Sequence, residues 1–131
     1  MSDMPSDMIA EATRARDNAV APYSGFKVGA ALRAADGKIW AGCNVENATL
    51  GLTVCAERVA LWKALSEGSR GFSEVVVVTA ANKPTPPCGA CRQLLWEFVG
   101  DVPVHMVSLE GPRATENLGA LFPRAFDKSD L

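Results

Sequence analysis

Nowhere in the 131 residues is there an apolar run approaching the roughly 18 residues that a membrane-spanning helix requires, so no membrane span is expected. Met1 to Ala10 holds two aspartates, no lysine or arginine and no uninterrupted apolar core, a pattern unlike a secretory signal. A cytoplasmic protein is the expectation. No excess of positive charge exists either: 13 basic residues face 15 acidic ones, for a net charge of −2, and the basic ones are scattered. Without a basic stripe there is no electrostatic footprint for a polyanion, so no nucleic-acid partner is expected. Internal repeats and low-complexity tracts are lacking. Histidine occurs once, as His105, within an apolar strand pattern where a core or interface hydrogen bond is its ordinary use.

What is present is a globular composition, 48% hydrophobic and 21% charged, in a length that supports one core and one domain over residues 1–131. Met8, Ala12, Ala15 and Ala19 recur at helical spacing, which predicts a helix from Asp7 to Val20. Lys27 to Ala34 alternates as a strand, Asp36-Gly37 is a hairpin turn, and Lys38 to Asn44 returns as a second strand. A second helix is predicted from Thr53, as its cap, to Leu65. The run Val75 to Val78, inside Glu74 to Ala81, predicts a central strand covered on both faces. A helix over Cys88 to Val99, a strand over Val102 to Val107, a short helix near Thr115 to Leu121 and a loose tail complete the expectation. This order implies an α/β fold, a three-layer α/β/α sandwich around a mixed sheet of about five strands.

Four cysteines in a chain without an export signal read as reduced thiols rather than disulfides. Cys88-Gly-Ala-Cys91 opens a predicted helix, where residues three apart share a face and the helix N-terminus favours thiolate. Alone, such a pair is equally a redox dithiol or two buried thiols. Cys55-Ala56-Glu57, at another predicted helix start, adds a third sulfur and a carboxylate. Three ligands are the catalytic zinc pattern, because the fourth position stays open for water; a closed structural site would need Cys43 or His105, both poorly placed. Three thiolates weaken a metal as a Lewis acid unless hydrogen bonds draw density back from sulfur. Arg58 is read as such a donor; for Arg92 that role and an ordinary surface ion pair stay open. Glu57, two residues from a ligand, is placed to carry a proton without binding the ion.

These segments match the zinc deaminase pattern, Cys-x-Glu followed by Pro-Cys-x-x-Cys, with Pro87 preceding Cys88. From Ala21-Pro22-Tyr23-Ser24-Gly25-Phe26-Lys27-Val28-Gly29-Ala30-Ala31, through Cys43-Asn44-Val45-Glu46-Asn47-Ala48 and Cys55-Ala56-Glu57-Arg58, to Leu121-Phe122-Pro123-Arg124-Ala125-Phe126, the chain resembles the small homotetrameric zinc-dependent cytidine deaminases of pyrimidine salvage. The resemblance implies an enzyme that hydrolyses cytidine and deoxycytidine to uridine and deoxyuridine through zinc-activated hydroxide. It implies one Zn²⁺ per chain on Cys55, Cys88 and Cys91, and Glu57 as the proton carrier. It also implies Asn44 and Glu46 on the ribose, Phe26 against the pyrimidine and backbone groups of Ala56 on the base. Phe126 is implied to reach a neighbouring subunit's pocket in a homotetramer with shared active sites. For Asn44 and Glu46 to reach one sugar, their strand has to end or bend there.

Two positions depart from the family pattern: Leu50 stands where tyrosine is usual, and Pro86 where serine precedes Pro-Cys. They keep open a deaminase of another cytosine-containing nucleoside, such as blasticidin S. A zinc-stabilised module without catalysis is the reading from a different class.

Overall fold

The four valines Val75 to Val78 lie on strand β3 (Phe72–Thr79), at the centre of a five-stranded sheet in a computed structural model that describes residues 4–131. The hairpin β1 (Gly29–Ala34) and β2 (Ile39–Cys43) precedes it, and β4 (Pro103–Ser108) and β5 (Arg113–Asn117) follow. The strand order is β2-β1-β3-β4-β5, antiparallel except for the β3–β4 pair. Among the described residues four α-helices flank the sheet: α1 (Ser6–Arg16), α2 (Ala56–Ser66), α3 (Gly89–Phe98) and the short α4 (Leu118–Leu121). The parallel pair needs a crossover, and α3 supplies it.

The valine run is continuous because both faces of β3 are covered. Val76 and Val78 join Ala31 and Val107 against Met8 and Ala12 of α1. Val75 and Val77 join Leu32, Val104 and Met106 against Ala60, Leu61 and Ala64 of α2, Leu95 of α3 and Leu118 of α4. Successive strand residues face opposite layers, so each valine feeds one core or the other. The three-layer α/β/α sandwich around a mixed sheet is thereby observed. Among the described residues no helix is long and apolar enough to cross a membrane.

Two helices sit unusually close to the sheet. A side chain at Gly29 would overlap the Ala12 carbonyl of α1, and one at Gly42 would lie 2.6 Å from the Ala60 nitrogen of α2. His105 is buried, with Nδ1 2.9 Å from Thr115 Oγ1 and Nε2 3.0 Å from Glu74 Oε1, the core hydrogen bonding expected of it.

Three expectations are corrected. The first helix ends at Arg16 rather than Val20, because Val20 pairs with Val45 in an isolated bridge. Thr53 does not cap α2: Cys55 holds the N-cap position, and the Thr53 hydroxyl accepts the Asn47 N–H at 3.1 Å. The segment near Thr115 is strand β5, and only Leu118–Leu121 is helical; pairing with β4 overrides a polar sequence without strand alternation.

Candidate active site

Cys55 is the N-cap of α2 and Cys88 the N-cap of α3, so two helix N-termini point into one space. Cys91 lies one turn into α3, buried, on the same side as Cys88. The three sulfurs lie within 4.8 Å of one another, and they are the metal-binding group of this kind found among the described residues. Cys43 and His105 stand outside it. All four cysteines are free thiols.

The donor set fits a cation. Cys55 is pushed below the usual thiol range, first by its hydrogen bond from Cys91 and then by Arg58, whose Nη2 lies 3.4 Å from the Cys55 sulfur. Cys91 is pushed the other way, by that same hydrogen bond and by burial. Three sulfurs this close cannot all ionise against one another, and a cation removes the conflict. Arg58 therefore occupies the place expected of a donor to thiolate, although its Nε is buried without a partner. Arg92 takes neither expected role. Its guanidinium donates to the carbonyls of Pro87 (2.8 Å) and Leu121 (2.6 Å), tying the start of α3 to α4.

Glu57 follows Cys55 by two residues and is 5% exposed. Burial pushes its carboxyl up to about 7, helped by the Cys55 charge and opposed by its own backbone and Arg58. A carboxyl that titrates near neutrality can both take and give a proton at working pH.

Glu57 lines a cavity of about 290 Å³ that Cys55 and Cys88 also line. That is close to the smallest size usual for a small-molecule site. Phe26, Asn44, Glu46 and Ala56, each expected from the sequence, line it. Strand β2 ends at Cys43, so Asn44 and Glu46 sit in the irregular stretch beyond it and both face the cavity. Asn44 is buried; its Oδ1 accepts the Val28 N–H (2.9 Å) and its Nδ2 donates to the Phe26 carbonyl (2.8 Å). Cys91, which is buried, does not line the cavity.

Phe126 is not brought to this cavity. Its carbonyl accepts from Gln93 (2.8 Å), the next residue, Asp127, accepts from Trp96 (3.0 Å), and its ring remains 57% exposed. Leu50 is 72% exposed on a short turn, away from the lining, whereas Pro86 lines the cavity. Ser24, Thr53 and Thr85 line it too and were not anticipated. A hydroxyl beside Phe26 was the one signal available for Ser24; nothing in the sequence marks Thr85.

The model of the cytidine and deoxycytidylate deaminase zinc-binding region matches residues 3–106. A cytidine deaminase of Sporosarcina psychrophila is 48% identical over 125 residues, 95% of this chain and 92% of that one. The crystal structure of a cytidine deaminase from Burkholderia pseudomallei superposes with a TM-score of 0.90 at 45% identity, covering 95% of this chain and all of that one. One from Mycobacterium tuberculosis gives 0.80 at 36% identity, covering 95% and 99%.

Proposed function

Because the chain belongs to the cytidine and deoxycytidylate deaminase zinc-binding family, we propose that it hydrolyses cytidine and deoxycytidine to uridine and deoxyuridine with release of ammonia. The observation that carries this reading is a cluster of three thiols, two of them lining one cavity together with a buried carboxyl, Asn44 and Glu46.

Cys55, Cys88 and Cys91 would hold zinc, three ligands being the set that catalytic zinc uses. Zinc in that set would supply an activated water for hydrolysis at the base's C4. Arg58 donates to the Cys55 sulfur and withdraws density from it. Glu57 moves the protons: its carboxyl gives one to ring N3 and a second to the departing amine, both drawn from the attacking water. Phe26 packs on the pyrimidine, backbone groups at Ala56 recognise its polar edge, and Asn44 and Glu46 take the ribose hydroxyls. Among the described residues no fourth protein ligand joins the set, which favours catalysis over a closed structural site.

The working form is a homotetramer in which Phe126 completes a neighbour's pocket. Support comes from the exposed apolar side chains of Phe26, Val45, Leu50 and Leu52, all more than 40% exposed, and from Phe126, which is 57% exposed and does not line the cavity. The four free thiols suit a reducing compartment, so the cytoplasm is its place of action.

Ammonia release by the zinc-loaded protein, measured in parallel with cytidine, deoxycytidine and blasticidin S, tests the proposal. Turnover of both nucleosides is expected. Activity confined to blasticidin S, or none with any of the three, would overturn it.

A further inference from the structure

The Glu46 carboxylate is already engaged by its own chain. Its Oε1 accepts the backbone N–H groups of Tyr23 (2.9 Å) and Ser24 (3.1 Å), and its Oε2 accepts the Ser24 hydroxyl. The same Ser24 oxygen accepts the backbone N–H of Phe26 at 3.0 Å. The turn is closed by the Gly25 N–H on the Ala21 carbonyl (2.9 Å), with Gly25 at a φ of 69° that a side chain would resist. Asn44 holds the other side of Phe26 through its carbonyl. Phe26 is thus anchored at its N–H through Ser24 to Glu46, and at its C=O to Asn44. The residue facing the base and the two facing the sugar form one hydrogen-bonded unit.

An ionised carboxylate offers about four acceptor positions. The turn fills three of them, which leaves one, on Oε2. The Ser24 hydroxyl is the main reason the Glu46 carboxyl lies below the usual carboxylate range, so the group that meets the sugar is charged.

We infer that Ser24 is a positioning residue for sugar recognition: its hydroxyl fixes the Glu46 carboxylate so that the remaining acceptor position on Oε2 meets a substrate hydroxyl, while its oxygen holds Phe26 against the base. The inference rests on the nucleoside reading above and adds a residue to it. Removing the hydroxyl leaves Glu46 held through Oε1 alone, so that Oε2 loses its fixed direction, and leaves the Phe26 N–H without its partner. Ser24 touches no reacting atom, so its loss weakens binding rather than proton transfer.

Zinc-loaded Ser24→Ala and Ser24→Thr are to be compared with the unsubstituted enzyme on cytidine and on 2′,3′-dideoxycytidine, whose sugar edge carries no hydroxyl there. Amide exchange at residues 23–26 is followed in parallel. For Ser24→Ala the KM for cytidine should rise on the order of tenfold, the scale of one hydrogen bond to a charged group, with kcat within about twofold. The KM for the dideoxy substrate should rise less, and exchange at the Phe26 N–H should quicken. Ser24→Thr, which keeps the hydroxyl, should restore a cytidine KM close to that of the unsubstituted enzyme. An unchanged cytidine KM in Ser24→Ala overturns the inference. An equal loss with both substrates also overturns it, since a general fault in folding would give that result. Failure of the unsubstituted enzyme to deaminate cytidine is a different outcome: it removes the functional reading and the sugar role with it.

Discussion

At Glu57 burial and chemistry coincide. The first turn of a helix is a place where a carboxylate is normally welcome, yet the cavity wall desolvates this one until it titrates at about 7. Glu57→Gln keeps the shape and removes the exchangeable proton. It should lower kcat by about 10³-fold while zinc content, read by metal analysis, stays at that of the unsubstituted protein. Undiminished turnover would remove Glu57 from the reaction. Cys55, Glu57, Cys88 and Cys91 are legible in the sequence because their relations are local: a short spacing at a helix start fixes which way each side chain points. Asn44, Glu46 and Phe26 became legible through the family resemblance, since no spacing rule links them to the sulfurs. Thr53 and Thr85 stay silent as cavity residues because a hydroxyl acquires a role only from the groups that fold beside it.

Each element depends on contacts its own sequence does not announce. Gly29 lies within strand β1, where a glycine ordinarily weakens pairing. Its value is the approach of α1, since an added methyl would overlap the Ala12 carbonyl and lie 2.9 Å from Arg16 Cβ. Gly29→Ala should therefore destabilise the fold by about 3 kcal/mol, read as a fall in the urea midpoint. Gly51→Ala, where nothing lies within 4 Å, is the control and should stay within about 0.5 kcal/mol. Long, patterned elements announce themselves: the valines of β3, the hairpin turn at Asp36-Gly37 and the helix behind Cys88 are all recovered. Strand β5 does not, because Arg113-Ala114-Thr115-Glu116-Asn117 is an edge strand with only Ala114 packed inward. Its conformation is imposed by β4, which sets Thr115 opposite His105 and Glu116 opposite Val104.

For the whole molecule, the order of elements along the chain was enough to give the layers but not the strand order, which depends on which edges meet. The exposure of Phe26, Val45, Leu50, Leu52 and Phe126 is the feature that a lone chain leaves unexplained. Sedimentation at working concentration should find a tetramer. A fully active monomer would contradict the shared pocket. The ligands' placement has a further effect. An ion held by the sulfurs at the starts of α2 and α3 would act as a fastener across the seam where the two helices begin, while Trp62 and Phe98 meet edge to face at 6.5 Å farther along the same helices. Stripping it with a chelator should unzip the seam from the cavity end and lower Tm by about 10 °C or more. The protein's chemistry and its resistance to heat would then fail together, through the loss of a single atom.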